Sequence, residues 1–257
     1  MKIKNATGHS LAAITLMFIG TQAVVAGSMG EVAPPMSFVA TLSAGPVWPT
    51  SLGRNQTINL VPSIEKTYIN QSNQSNQTLV DGELFLGVQT SSWLPYSLQG
   101  QLGIAVATTS QAGLSGEIWD DGDPLFNNYS YNYQVRHTHV ALKGKLLADR
   151  GYYVTPWLSG SIGVGFNDSN SFNSVPLIYE AVPTPPFRNH TVTSFIYTVG
   201  AGVQRNITEN CQVGVGYEFS DWGNSNLGRA PAQTEGRGLT LNHLYTNGLM
   251  FSISYVS

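Results

Sequence analysis

The 257-residue chain has few charged residues, a single cysteine and no long apolar runs. Only 11% of its residues are charged, against about 25% in a typical soluble domain, which argues against an ordinary soluble protein. The one cysteine, Cys211, excludes an internal disulfide. After residue 26 no apolar run reaches the roughly 18 residues of a membrane-spanning helix, so a membrane protein built of helices is excluded as well.

The first residues have the layout of a secretory signal peptide. Lys2 and Lys4 are followed by an apolar stretch, Leu11 to Ile19, which is too short to span a bilayer, and then by compact residues up to Ala26. We therefore predict a signal peptide over 1–26, with a retained anchor helix as the alternative. Without the two lysines the formal charge falls from -3 to -5, which gives no electrostatic reason to expect a nucleic-acid partner.

The rest of the chain alternates apolar and polar residues with a period of two, the pattern of a β-strand with two different faces. The clearest segment runs from Tyr96 to Val106, about the length with which a tilted strand crosses a bilayer. Similar alternation puts these residues on the apolar faces of further segments: Phe38, Ala40, Leu42 and Ala44; Leu84, Leu86 and Val88; Val154, Leu158, Ile162, Val164 and Phe166; Phe195, Tyr197, Val199, Ala201 and Val203; Val213, Val215, Tyr217 and Phe219; Leu249, Phe251, Ile253 and Tyr255.

An eighth strand is predicted from Tyr131 to Leu147, although its apolar phase slips. Tyr131 has the opposite parity to Val140, and a β-bulge at residues 137–139 would reconcile the two halves. The connections between the eight strands alternate strictly between short and long. The short ones are 90–95, 148–151 and 206–210; the long ones are 49–78, 108–130, 167–191 and 221–239.

Short turns at one end and long loops at the other are typical of outer-membrane barrels. We predict an all-β fold: a closed, eight-stranded, antiparallel, up-and-down transmembrane β-barrel over residues 27–257, with short periplasmic turns and long extracellular loops. In a membrane only such closure satisfies the backbone hydrogen bonds of strands.

Four charged residues of the predicted strands, Glu83, Lys143, Lys145 and Glu218, fall on the face opposite the apolar one. An eight-stranded barrel has an interior just wide enough for its own side chains. We therefore predict that these four charges pair inside the barrel and obstruct it.

Aromatic residues fall near the predicted strand ends, where the amphipathic rings of Tyr and Trp favour a membrane interface. The predicted interfacial aromatics are Trp93, Tyr96, Tyr152 and Tyr255 at the periplasmic edge, with Trp48, Phe166, Phe195 and Trp222, together with Tyr131, at the outer edge.

The last third of the chain resembles the outer-membrane β-barrel domains of the opacity proteins and of the OmpA transmembrane region. The similar stretches are 200–203, the turn 206–210 and the run Gly214 to Gly223, with the glycine-rich strand 155–166. The resemblance implies the eight-stranded fold, contact with outer-membrane lipid and lipopolysaccharide, and a last strand near Tyr255 that the barrel-assembly machinery recognises. Members include adhesins and structural barrels.

Candidate chemistry is sparse. Small outer-membrane barrels include lipid A deacylases, but their His-x-Ser spacing is absent after every histidine. His137 and His139 share a strand face and are expected to bond within the interior, with a two-histidine metal site as the alternative. Asp120, Asp121 and Asp123 are expected to form a solvated acidic loop rather than a Ca²⁺ site.

These observations predict a non-enzymatic surface protein without cofactor or metal. Its loops would contact a host or cell-surface ligand, or serve as a structural and antigenic coat. A narrow porin is the alternative, and a lipid A-modifying enzyme is a third interpretation.

Overall fold

The computed structural model describes residues 36–62, 64–72, 77–94, 98–149, 151–179, 181 and 184–257. The predicted signal peptide, 1–26, lies outside the described residues. Within them the chain is almost entirely strand, with one three-residue 3-10 helix at Pro124–Phe126. No helix of this part of the chain is long and apolar enough to cross a membrane.

Thirteen strands follow one another along the described residues. In chain order they are β1 Met36–Pro49, β2 Gln56–Val61, β3 Ile64–Asn70, β4 Leu79–Leu94, β5 Leu98–Thr109, β6 Ala112–Asp120, β7 Asn127–Ala148, β8 Thr155–Pro176, β9 His190–Asn206, β10 Cys211–Asp221, β11 Ser225–Asn226, β12 Thr240–Leu241 and β13 Tyr245–Val256.

Eight of these strands form a closed antiparallel ring in the order β1, β4, β5, β7, β8, β9, β10, β13. The ring closes where β1 meets β13, with Val39 opposite Val256 and Trp48 opposite Asn247. Each of the other seven neighbours pairs antiparallel as well. The predicted closed, eight-stranded, antiparallel barrel is therefore confirmed.

The wall continues beyond the ring at the end opposite the short turns. β5 pairs with β7 as far as Thr108 opposite Thr138, and β6 then pairs with the next part of β7, beginning with Ala112 opposite Val135. β3 pairs with β6, and β2 with β3. We call β2, β3, β6 and the adjoining ends of β7 (127–135) and β8 (169–176) the extension.

The predicted long connections contain strands of their own. The stretch 49–78 contains β2 and β3, 108–130 contains β6, and 167–191 contains the end of β8. In 221–239 the chain forms β11, which pairs with β12. The prediction stopped each strand where its bilayer-length alternation ended, whereas the backbone pairing continues past that point.

The phase slip in β7 has a different origin from the predicted bulge. Pairing with β8 is continuous from Gln134 to Leu147, so there is no bulge at residues 137–139. Inward residues keep odd numbers throughout, but their chemistry changes from polar in the ring to aromatic in the extension, where Tyr131 and Tyr133 point inward. Tyr131 is thus not an outward interfacial residue. The bulge lies on β8 instead, where Ser171 has a φ of 59°.

The extension has a hydrophobic core of its own. Tyr68, Tyr131 and Phe187 meet with ring centroids 5.5 Å apart for both pairs that involve Tyr68. Burial raises the pKa of the Tyr68 phenol above its ordinary value, so this ring stays uncharged. The same cluster includes Leu52, Ile58, Leu60, Leu79, Leu114, Ile118, Tyr129, Tyr133, Val135, Phe172, Trp222, Leu227, Leu239, Leu241 and Leu244.

Inward glycines make room for large side chains in the narrow ring. The indole of Trp157, on β8, lies against Gly202 on the adjacent strand β9 and against Gly216 on β10, the strand beyond it. A Cβ at Gly202 would come within 2.6 Å of that ring, and one at Gly216 would overlap it. The indole fits only because these two positions lack side chains, since the interior of an eight-stranded barrel has little room beyond its own side chains.

We expect Gly216→Ala to lower the free energy of unfolding by about 1–3 kcal/mol, because the added methyl overpacks the Trp157 ring. The matched control is Gly144→Ala on the outer face of β7, where the nearest heavy atom to a new Cβ is Gln101 O at 3.9 Å. Urea unfolding of detergent-refolded protein, followed by tryptophan fluorescence, compares the two. Equal stabilities would contradict the proposed packing.

Candidate functional site

Three of the four predicted interior charges come together inside the ring. Lys143 Nζ donates to Glu83 Oε1 at 2.6 Å and Oε2 at 2.9 Å, and to Glu218 Oε2 at 3.1 Å. These residues stand on β7, β4 and β10, so one ammonium group links three parts of the wall across the interior. Their side chains are only 5–12% exposed.

Lys145 does not join the carboxylates, contrary to the prediction that all four charges pair. Its Nζ donates to Gln204 Oε1 at 2.5 Å and lies 4.6 Å from the centre of the Trp157 ring. Gln204 Nε2 in turn donates to Gln212 Oε1 at 2.7 Å. Two residues along an inward face move a side chain about 7 Å along the strand, which brings Lys145 to an amide layer instead.

A cavity of about 40 Å³ lies between the ion cluster and Trp157. Trp157 Nε1 and Ser159 Oγ line it, and neither has a hydrogen-bond partner among the described residues. Such a volume accommodates a few water molecules and is far below the several hundred cubic ångströms of a typical ligand pocket. This cavity therefore suits bound water rather than a small-molecule substrate.

A second polar layer lies on the other side of the ion cluster. His137 Nδ1 is 2.7 Å from Asn167 Oδ1, and His137 Nε2 is 3.0 Å from His139 Nδ1. Both ring nitrogens of His137 are thus engaged by protein groups, which leaves no pair of free imidazoles for a metal ion. No group of three or more His, Cys, Asp or Glu side chains suited to a metal occurs in the described part of the chain.

Trp222 closes the interior above this layer, which corrects its prediction as an interfacial aromatic. It is 2% exposed and stacks on His137 with centroids 4.6 Å apart and planes 6° apart. The chain turns inward here because Gly223 has a φ of 73° and its N–H donates to Asp221 Oδ1. Asn167 Nδ2 donates to the Trp222 carbonyl at 2.7 Å. The two-residue alternation of the sequence predicts neither the inward position of Trp222 nor the contact that Asn167 makes with it.

Other predicted interfacial aromatics do lie on the outer surface. Phe166, Phe195 and Tyr255 are 43–67% exposed, and Tyr152 in a short turn is 70% exposed. Trp48 is half-buried, and its Nε1 donates to Thr78 Oγ1 at 3.1 Å. The side chains of Trp93 and Tyr96 lie outside the described part of the structure. Further outward rings are in contact near the extension: Tyr197, Phe219 and Tyr245.

The predicted acidic loop is a hydrogen-bonded turn at the far end of the extension. Asp120 accepts from Lys66 Nζ and from Asn128 Nδ2, so its carboxylate is already used. Asp123 caps the 3-10 helix by accepting from Leu125 N at 2.9 Å. Asp121 has a φ of 52° and an exposed side chain.

The remaining histidines do not form a nucleophile site. His190 Nδ1 lies 3.1 Å from Asn226 Nδ2, and His243 Nδ1 lies 2.9 Å from Asp221 Oδ2. The second pair has the acid and base of a hydrolytic triad. Among the described residues, however, no serine hydroxyl hydrogen-bonds to a histidine ring.

No protein-family model matches the chain, and no curated protein matches it. Among solved structures, Neisserial surface protein A is similar over 86% of this chain and 98% of its own, at 12% identity and a TM-score of 0.44. Outer membrane protease OmpT from Escherichia coli covers 86% and 96%, at 12% and 0.41. The attachment invasion locus protein Ail of Yersinia pestis covers 86% and 99%, at 11% and 0.35. Such distant likenesses carry no argument about activity or ligand.

We expect Lys143→Met to cost about 3–5 kcal/mol of unfolding free energy, because it leaves Glu83 and Glu218 buried without their partner. Lys145→Met, which removes one hydrogen bond and one ring contact, is the matched control and is expected to cost about 1–2 kcal/mol. The triple variant Glu83→Gln, Lys143→Met, Glu218→Gln should recover most of the loss. Urea titration in detergent measures all three, and equal losses for the two lysine variants would contradict a central role of the ion cluster.

Proposed function

We propose that the chain is exported by its N-terminal signal peptide and anchors in a bacterial outer membrane as a non-enzymatic surface protein. In this proposal the ring is a closed anchor, and the extension is the extracellular surface that contacts a ligand. The observation that carries the proposal is the division of one barrel into a ring blocked by its own side chains and an extension with a separate hydrophobic core.

The outer surface of the ring supports membrane insertion. On β7 the outward positions from Thr138 to Ala148 span 11 residues, the length with which a tilted strand crosses a bilayer. The charged residues at outward positions of the described ring strands lie toward the two edges: Arg205 near the short turns, and Arg136, Asp168 and Asp221, the last residue of β10, toward the other edge. A charge at mid-depth would cost about 2–4 kcal/mol for Arg or Lys.

The blocked interior weighs against the narrow porin. A permeating solute would have to separate Lys143 from both carboxylates, and breaking such a buried cluster costs several kcal/mol. It would then have to pass the stacked rings of His137 and Trp222 and the core of the extension. The porin remains the alternative function, and conductance distinguishes the two.

The histidine geometry weighs against a lipid A-modifying enzyme. Asp221 and His243 form an acid–base pair, but a hydrolase of the serine type also needs a hydroxyl within hydrogen-bonding distance of the imidazole. The partners in our proposal are accordingly outer-membrane lipid and lipopolysaccharide around the ring, the barrel-assembly machinery at the β13 strand, and a host or cell-surface ligand at the extension.

The folded protein is identified by a gel mobility that changes on heating. Inserted into planar bilayers, it is expected to give no steady single-channel openings, because the ion cluster and the Trp222 layer fill the bore. A variant with Glu83, Lys143 and Glu218 all replaced by alanine is the matched comparison. It should show openings only if the stacked rings of His137 and Trp222 also move out of the bore. Reproducible openings of the unmodified, correctly folded protein would refute the closed anchor and favour the porin.

A further inference from the structure

Six large apolar side chains are exposed together at the far end of the extension. We call them the tip patch. Their exposed fractions run from 45% to 100%. The members are Leu125 and Phe126 of the 3-10 helix, and Val175, Leu177, Ile178 and Tyr179 at and after the end of β8.

The two segments that carry the tip patch are held by backbone hydrogen bonds. Asp123 fixes the 3-10 helix through Leu125 N at 2.9 Å, and Phe126 N donates to the Asp123 carbonyl at 2.9 Å. Leu177 N donates to the Asn128 carbonyl at 2.8 Å, so the two segments run side by side. The apolar side chains are therefore presented by ordered chain that would keep its shape on binding.

The membrane that holds the ring does not cover the tip patch. From Thr138, at the edge of the apolar belt, β7 runs 10 more residues to Asn128. That distance is about 34 Å along the strand. At a strand tilt of about 40° it places the patch about 26 Å above the belt. Exposed apolar patches of this kind mark interaction sites when nothing in the fold covers them.

The surroundings of the tip patch are acidic. Asp121 N donates to the Glu65 carbonyl at 3.1 Å, which brings both acids to the turn beside the 3-10 helix. Lys66 is paired with Asp120, and Arg237 lines a surface recess together with Glu65. Residues 117–135 and 171–179 contain no lysine or arginine. Four carboxylates of this end take part in no ion pair within the described residues: Glu65, Glu117, Asp121 and Asp123.

This charge selects among possible occupants. A second copy would bring the same carboxylates to the contact, and like charges disfavour such a pairing. Anionic lipid headgroups and polyphosphates are repelled for the same reason. A cationic segment with apolar residues satisfies both features, because its side chains cover the patch while its charges approach the acidic rim.

We propose that the tip patch binds an amphipathic peptide segment that carries lysine or arginine beside leucine-like residues, in a protein outside the cell. This inference rests on the proposed function, since it requires the extension to face the exterior. It names the chemistry of the ligand that the extension contacts.

The test uses full-length protein refolded into nanodiscs of zwitterionic lipid, with empty nanodiscs as background. The probe is a fluorescent synthetic helix of leucine and lysine, and the matched probe has glutamate at every lysine position. Fluorescence anisotropy should show saturable binding of the lysine peptide alone, weakened by added salt because the charge attraction is screened.

Variants at the tip assign the site. Phe126→Ser with Ile178→Ser should weaken binding about tenfold or more. Asp121→Asn with Asp123→Asn should weaken it less and should flatten its salt dependence, while an asparagine at 123 keeps the helix cap. The control, Tyr152→Ser with Ile207→Ser, removes two apolar groups that are more exposed still, 70% and 58%, from the short turns and should leave peptide binding unchanged.

Three outcomes would overturn the inference: equal binding of the glutamate probe, lysine-probe binding that is unchanged by the tip variants, or binding to vesicles of anionic lipid in preference to the lysine peptide. Self-association abolished by the Phe126 and Ile178 variant would instead identify a second copy as the occupant and also refute it. The proposed closed anchor would stand in each case, because conductance tests it separately.

Discussion

Closure of the ring between β1 and β13 is the constraint on which the rest of the structure depends. The first and the last of the described strands pair from Val39 opposite Val256 to Pro49 opposite Thr246. Without that pairing the sheet would have two free edges, and unpaired backbone groups cost several kcal/mol each in hydrocarbon. Once it forms, an apolar outer face can be presented without exposing any backbone polar group of the ring.

An eight-stranded ring determines the chemistry of its interior. Its bore is just wide enough for side chains, so every inward charge must find a partner close by. Lys143 meets two carboxylates, whereas Lys145 lies one layer away among amides and against Trp157. The glycines beside Trp157 follow from the same narrow bore, because a bulky ring on one strand leaves no room for side chains on the strands it faces.

The ring and the extension carry opposite patterns of polarity on the same strands. In the ring most outward residues are apolar and most inward residues are polar, although Val39, Phe85 and Ala105 form a small apolar cluster inside it. In the extension β7 keeps its parity, but the inward residues become Tyr129, Tyr131 and Tyr133. The proposed membrane anchor accounts for this inversion, because an exterior that lipid does not cover must be polar while the interior supplies the hydrophobic core. The acidic, apolar tip departs from this pattern, which is why we propose it as a binding surface.

The sequence by itself determined the ring. Two-residue alternation, alternating connection lengths and the absence of apolar helices led to eight strands, and the parity of Glu83, Lys143 and Glu218 predicted an inward position for each. Parity assigns a face but not a partner, so Lys145 was wrongly grouped with the carboxylates. Only the tertiary structure decided that Trp222 turns inward to stack on His137, because the turn at Gly223 redirects the chain. It also decided that the long connections fold into an extension, since their strands are stabilised by neighbours distant in sequence rather than by local alternation.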